Sequence, residues 1–448
     1  MIKRAVFWAI LLVSTLGAIE LAARWAYGAA SESAFDADEI EAAQRALQTE
    51  AESAPRAGLL GGLEVIHPYL GFVGNPTARN KLIDTLRETA VSDYGLNDDK
   101  SPIQRASEDR LIVGIFGGSV AHYLSTQGLT ALDAELGRAR RFAGRERVIV
   151  RVALAGWKQP QQLMALNYLL MLGAHFDVLI NLDGFNEIAL PPVENQPKGV
   201  FPYFPRNWYT RTQGASDQKV RAAVGKIAYL REQRARWAGR FTDPSSERSA
   251  SWARTGLAAW VWRVRDDSLA AALADARLQM VASRAADTRY VAAGPPYDYE
   301  DEDLYTDLAD AWARSSLQMH QLAEANGIEY YHFLQPNQYV PGSKPLHEQE
   351  RRLAWSENSL YRKAVERGYP LLIAKGLELQ QRGVAYTDLT QIFRENDSFL
   401  YVDVCCHLNA DGNQLLGERI GQIISGSAPA TGQPLSGAES GRAELRRD

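Results

Sequence analysis

Cysteine is nearly absent from this 448-residue chain, which has two, Cys405 and Cys406, side by side. Two thiols cannot staple a disulfide scaffold or build a four-thiolate metal site, so the fold must rest on a hydrophobic core. An excess of positive charge is also missing. The net charge is -5 and the pI about 5.9, which argues against bulk nucleic-acid binding. What is plentiful is apolar residues, 46% of the chain, so disorder over most of the length is excluded. The length suits about three domains, or one enlarged α/β domain with insertions.

Long hydrophobic runs are scarce apart from the N-terminus. Lys3 and Arg4 precede an uncharged stretch from Ala5 to Ile19, then come Glu20, Leu21 to Ala23, and the closing pair Arg24-Trp25. As a helix, Ala5 to Ala23 would span roughly 28 Å, close to the ~30 Å hydrocarbon core of a bilayer. The basic pair ahead of it predicts a cytoplasmic N-terminus with the rest of the chain exported, periplasmic or at the cell surface. Glu20, near the far end, is expected to snorkel, and Trp25 and Tyr27 suit an interfacial belt. Residues 1–28 thus read as a single-pass membrane anchor. A signal peptide cleaved near Ala26-Tyr27-Gly28 is the alternative, with the same outcome for location. A buried soluble helix fits less well, because charges flank the run at both ends.

Residues 29–60 are rich in Ala, Glu and Ser with helical periodicity, which predicts a stalk or linker helix. Frequent Gly and Pro from about 60 to 110 predict loops and minor strands. Five strand candidates follow at 111–116, 147–154, 178–182, 328–334 and 384–386. Helical segments at 122–140, 158–174, 304–326 and 358–382 separate them. This alternation predicts a doubly wound parallel sheet. The core domain is placed at 61–426, with a helical insertion at about 191–300. Residues 211–290 of that insertion carry 15 Lys/Arg against 8 Asp/Glu, with several Trp. That composition suits an anionic headgroup or glycan surface, or equally a helical cap with Trp in its core and Arg in solvent. Asp298 to Asp310 holds seven acidic residues that can pair with this basic segment. Residues 427–448 are polar and Gly/Ser/Ala/Pro-rich, which predicts a disordered tail.

The chemistry-bearing residues sit at strand ends. The first strand ends in Gly117-Gly118-Ser119, where paired glycines allow a tight turn and place the serine at a helix start. A plain N-cap serine would look the same. The second strand leads to Gly156, and the third to Asp183-Gly184-Phe185-Asn186-Glu187. Ser119, Gly156 and Asn186 thereby fall on three consecutive strand ends facing one crevice. The backbone N–H groups of Ser119 and Gly156 and the Asn186 amide can form a three-donor oxyanion hole. Near the C-terminus, His407 precedes the last helix with Asp403 just upstream, a base and a carboxylate to orient it. His122 and the segment Gln335 to Tyr339 are candidates for the pocket wall, or for ordinary helix face and connector. Lys344 and Glu348 have no assignable role.

With these blocks in order, the chain resembles the SGNH (GDSL-like) hydrolases, including bacterial members with an N-terminal membrane helix. The matching positions are Ser119, Gly156, Asn186 and His407, over roughly 105 to 425 without the insertion. The resemblance implies a flavodoxin-like five-stranded sheet of order 2-1-3-4-5, with Ser119 as nucleophile, His407 as base and Asp403 as orienter. It implies ester hydrolysis through an acyl-serine, foremost removal of O-acetyl groups from a carbohydrate or another small ester. Acyl transfer to an exported polysaccharide is one alternative. A catalytically weak glycan-binding or assembly module of envelope polysaccharide machinery is another. Two positions depart from the family pattern. The family's Asp lies three residues before the His, where this chain has Val404, so Asp403 acts only if one residue loops out. Otherwise a Ser–His dyad operates. Glu187 stands where Asp is usual. An α/β-hydrolase would require G-x-S-x-G, but position 121 is Ala.

No cofactor is expected, and no metal, since Cys405, Cys406 and His407 lack a fourth ligand and normal spacing. Adjacent Cα atoms lie ~3.8 Å apart, below the usual disulfide span, so free thiols are expected. Oxidised to a strained bridge, they would bend the loop that holds His407.

Overall fold

The computed structural model describes residues 2–31, 34–53, 63–77, 90–212, 218–242, 254–282, 286–299 and 304–427. In chain order the elements are α1 (Ile2–Ser31), α2 (Ala37–Ser53), β1 (Glu64–His67), β2 (Gly71–Gly74), β3 (Arg110–Gly117), α3 (Ser119–Leu124), α4 (Leu129–Arg138), β4 (Glu146–Ala153), α5 (Gln161–Met171), β5 (Val178–Asp183) and α6 (Phe185–Leu190). They continue with α7 (Trp208–Thr212), α8 (Gln218–Thr242), α9 (Gly256–Ala282), α10 (Ala286–Ala293), α11 (Leu304–Ala325), β6 (Glu329–Leu334), α12 (Glu348–Ala354), α13 (Leu360–Gln381), β7 (Ala385–Asp388) and α14 (Ala410–Ser425). They group into two compact units. One is Leu63–Tyr209 with Ala292–Asp448, the other Met1–Gly62 with Thr210–Val291.

The first unit is built on the five expected strands. They pair in parallel in the order β4-β3-β5-β6-β7, which is 2-1-3-4-5 among themselves. The continuous apolar runs explain this sheet. β5 is buried at all six positions and β3 from Leu111 onward, as strands covered on both faces must be. Helices α3, α4 and α14 pack together as one layer, and α5, α6, α11 and α13 as the other. β1 and β2, in the Gly/Pro-rich stretch, form an antiparallel hairpin with Val65 opposite Val73.

The second unit gathers α1, α2, α8 and α9. Arg234 forms a two-pronged ion pair with Asp266 at 2.7–2.8 Å, and the Trp237 indole donates to the Trp262 carbonyl. Trp262 is buried with Tyr27, Ile40 and Phe241, and Ile227 and Leu230 form a second apolar cluster with Leu269 and Leu273. These Trp residues therefore face a core, and much of the basic surplus is paired inside this unit: Arg254 with Asp38 and Glu41, Arg263 with Asp267. Trp252 lies outside the described residues.

Three expectations are refined here. The insertion placed at 191–300 divides, because 191–209 is held on the sheet unit by contacts such as the Tyr299 hydroxyl on the Val200 carbonyl and the Asn195 amide on the Phe201 carbonyl. Of the acidic stretch, Asp307 accepts from the Tyr297 hydroxyl and Asp310 pairs with Lys375, while residues 300–303 lie outside the described ones. Glu20, the carboxylate within the apolar helix, is engaged inside its own unit. Its carboxylate accepts from the backbone N–H groups of Gly256 and Leu257 at the start of α9 and from Arg24. Charge-assisted capping of orphan helix N–H groups explains a carboxylate in an apolar helix. α1 is long and apolar enough to cross a membrane, and its large side chains from Val6 to Leu21 are exposed. The predicted tail lies outside the described residues from 428 onward.

Candidate active site

Four turns at the carboxyl edge of the sheet bring the site together. β3 ends on Gly117, at φ +148°, and a Cβ there would stand 2.2 Å from the Leu182 carbonyl oxygen of β5. At Gly118 a Cβ would lie 2.3 Å from the Asn186 Nδ2. The paired glycines are thus required by the close approach of two strand ends, and Ser119 opens α3 directly behind them.

His407 reaches Ser119 from the far end of the chain. Its Nε2 lies 2.7 Å from the Ser119 Oγ, and its Nδ1 lies 2.5 Å from the Asp403 Oδ2. The second oxygen of Asp403 accepts from the backbone N–H groups of Cys405, Cys406 and His407 at 2.9, 3.1 and 3.3 Å. The chain wraps around the carboxylate, which is how a spacing of four residues still points the acid at the ring. Burial alone would raise the Asp403 carboxyl. The His407 contact and the N–H groups of Cys405 and His407 outweigh it and hold the carboxyl below the usual carboxylate range. The Tyr123 ring stands edge-on to His407 at 5.3 Å.

The loop is braced from outside. Asn337 donates to the Cys405 carbonyl at 3.0 Å and Gln338 to the Asp403 carbonyl at 2.9 Å. Both side chains are buried, so these two residues of the segment after β6 support the loop rather than offer themselves to a ligand. Glu350 accepts from the Leu400 and Tyr401 N–H groups and pairs with Lys344 at 2.7 Å, fully buried. This bracing gives Lys344 a role. Glu348 is exposed and pairs with Arg352 on α12. His122 is half-buried and lies against Tyr123.

Gly156 takes φ +79°, and Arg206, paired with Glu194 at 2.9 Å, lies across it: a Cβ at Gly156 would be 2.4 Å from the Arg206 Cδ. Asn186 is nearly buried and donates through Nδ2 to the Trp157 carbonyl at 2.8 Å. Its neighbour Glu187 is also buried. Burial and the nearby Asp183 push its carboxyl up to about 8, against the pull of the Gln159 and Gly184 N–H groups. Lys158 donates to the Pro202 carbonyl at 2.5 Å, and burial brings its ammonium down to about 7 against the pull of Glu187 and Glu194.

The arrangement has the parts of nucleophilic acyl chemistry: a hydroxyl bonded to an imidazole, an imidazole oriented by a carboxylate, and amide donors on adjoining turns. A similar-looking array lies in the core, where His332 contacts Ser316 at 2.7 Å and Asp183 at 2.9 Å. It is sealed off, with Ser316 and His332 at 0% exposure, and it also holds Trp312 and Asn181 on Asp183. Burial separates a structural network from a usable one. Cys405 and Cys406 are free thiols with sulfur atoms 3.1 Å apart. With His407 they offer three donor atoms within 4.8 Å. Both His407 ring nitrogens are already engaged, so a metal there would displace Ser119 or Asp403. Sequence reasoning missed Tyr123, Arg206 and Glu350, and it singled out Lys344 and the segment of Asn337 and Gln338 without finding their bracing role. The reason is that an aromatic, a charged side chain or an amide in a loop carries no spacing signal.

No family model matches the chain, and no curated protein does. Among solved structures the chain is similar to a protein of Bacteroides fragilis NCTC 9343 described as a "putative acylhydrolase". The two are 10% identical, the match covers 72% of this chain and 91% of that one, and the TM-score is 0.35.

Proposed function

We propose that this chain is an SGNH-type serine esterase, anchored by α1 with its sheet unit outside the cytoplasm, that removes O-acyl groups from a carbohydrate or another ester. The observation that carries the reading is the continuous Ser119–His407–Asp403 array, with contacts of 2.7 and 2.5 Å, beside Gly156 and Asn186. Ser119 Oγ attacks the ester carbonyl carbon while His407 Nε2 takes its proton, and Asp403 stabilises the resulting imidazolium. The Ser119 and Gly156 N–H groups and the Asn186 amide receive the oxyanion. Collapse breaks the bond to the leaving alcohol, which takes the proton back from His407. Water activated by His407 then cleaves the acyl-serine, releasing the acid.

Incubation with a fluorophosphonate probe and with p-nitrophenyl acetate tests this directly. Labelling and turnover that both vanish in Ser119→Ala are expected. Absence of both in the wild type, with glycan binding intact, would favour an inactive binding module. Acyl groups recovered on a glycan acceptor rather than in water would mark a transferase. The anchor is tested with a reporter enzyme fused after residue 427 that is active only when exported.

A further inference from the structure

Asn186 and Glu187 are consecutive on α6 but serve different neighbours. The Asn186 amide lies against Gly118 and bonds Trp157. The Glu187 carboxyl reaches two turns at once. Its Oε1 accepts from the Gln159 backbone N–H at 2.8 Å and the Gln162 side-chain amide at 3.2 Å, and its Oε2 accepts from the Gly184 N–H at 2.9 Å. Gln159 belongs to the turn that carries Gly156, and Gly184 to the turn that carries Asn186. Gln159 is tied a second time, through its side chain, to Asp183 at 3.2 Å.

We propose that Glu187 is a positioning residue that clasps the Gly156 turn to the Asn186 turn and so fixes the separation of two oxyanion donors, a role resting on the esterase reading of Ser119. Glu187 is 4% exposed and contacts backbone and amide groups, so it acts through its neighbours and touches no substrate. The residue type follows from the geometry. Both oxygens of a carboxyl group keep lone pairs that can accept, in the acid as in the carboxylate, whereas Gln replaces one acceptor with an NH2 that would confront a backbone N–H. Asp, one methylene shorter, cannot span both turns from the same backbone position. Other contacts already hold these turns, among them Asn186 Nδ2 on the Trp157 carbonyl and Lys158 Nζ on the Pro202 carbonyl, and Glu187 adds the tie that engages a backbone N–H of both. A tie between them is what electrostatic preorganisation needs, because donors help most when they do not reorganise as charge develops.

The test uses the full chain in detergent and compares wild type, Glu187→Gln and Glu187→Asp well below their unfolding temperatures. Three quantities are read: p-nitrophenyl acetate kinetics, affinity for a boronic acid that adds to the serine as a tetrahedral adduct, and amide hydrogen exchange at Gln159 and Gly184. A loss of kcat of about 10- to 100-fold is expected, since small misplacements near reacting groups cost on that order. Boronate affinity should fall in parallel, while KM and the midpoint of the pH–rate profile stay near wild type, because His407 and Asp403 are untouched. Exchange at both amides should accelerate. Wild-type kcat and boronate affinity in the variants would overturn the proposal, as would a kcat that falls while boronate affinity holds. Where Glu187→Gln does not fold, Glu187→Asp carries the same comparison. If the wild type itself neither turns over esters nor binds boronate, the esterase reading fails and exchange alone decides. Faster exchange at Gln159 and Gly184 then supports the clasp, and unchanged rates overturn it.

Discussion

Asp403 precedes His407 by four residues, yet its carboxylate holds the imidazole Nδ1 at 2.5 Å because three successive N–H groups fold the loop over its other oxygen. One carboxylate therefore shapes the loop and orients the ring. Asp403→Asn separates the two tasks. An amide oxygen can still receive the N–H groups, but its NH2 faces Nδ1 and imposes the wrong tautomer. Turnover of p-nitrophenyl acetate should fall by about 10²- to 10⁴-fold with little change in Tm, the upper figure being the loss known for the equivalent change in a serine protease.

Gly118→Ala probes the contact between the Ser119 turn and Asn186. The new methyl would need the space now held by the amide, at 2.3 Å, so Asn186 or the turn must shift. A destabilisation of about 1–3 kcal/mol is expected for overpacking of this kind. With an oxyanion donor displaced, kcat should drop by about 10²-fold or more. Urea denaturation and ester kinetics on the same preparation separate the two effects. A variant with wild-type kcat would remove Asn186 from the oxyanion site.

Legibility along the chain follows the physics of each signal. The five strands were readable because strands buried on both faces need uninterrupted apolar runs, and Leu111 to Phe116 or Val178 to Leu182 have few other uses. Ser119, Gly156 and Asn186 stood out because they follow the first three strands of the sheet, and His407 because it precedes the last helix with Asp403 upstream. The partners of Glu20 and Glu187 were not, since both reach residues through three-dimensional contact: Glu20 caps a helix that starts at Gly256, 236 positions away. The grouping of residues 210–291 with the N-terminal helices was hidden for the same reason. Arg and Trp content alone fits a core and a binding face equally well.

The thiol pair offers a chemical handle on the same loop. Two sulfurs 3.1 Å apart need only a small approach to bond, and a thiol-specific oxidant such as an azodicarboxamide would convert both thiols to one disulfide. That bond would pull on the Cys405 and Cys406 N–H groups that Asp403 holds. Activity is expected to fall on oxidation and to return with a thiol reductant, and Cys405→Ser should abolish the response. Equal turnover in oxidised and reduced wild type would break the link between these thiols and His407.

Glu350→Ala should be among the most destabilising single changes near the site. It strands the fully buried Lys344 ammonium and leaves the Leu400 and Tyr401 N–H groups without their acceptor. Removing one partner of a buried pair costs about 3–5 kcal/mol. The double change Lys344→Met with Glu350→Leu should recover part of that loss, because no uncompensated charge remains. Comparable Tm values for the single and double variants would mean that the charge contributes little and that the N–H groups dominate.

Lys158 gives a pH dependence with a definite sign. Its pKa is about 7 in the folded chain, against an ordinary 10.5, because burial disfavours the ammonium more than Glu187 and Glu194 favour it. Above the ordinary value the amine is neutral in both states and nothing is gained or lost. As pH falls from there toward about 7, the unfolded chain takes up a proton that the folded chain does not, so folding stability decreases. Below about 7 the folded chain protonates as well and the decrease levels off. Lys158→Met lacks this proton uptake, although it forfeits the hydrogen bond to the Pro202 carbonyl at every pH. The stability of the variant minus that of the wild type should therefore rise as pH is lowered through the alkaline range and flatten below neutrality. Urea denaturation at a series of pH values measures this difference directly. Parallel curves for the two proteins would show that Lys158 titrates in the folded state much as it does in water.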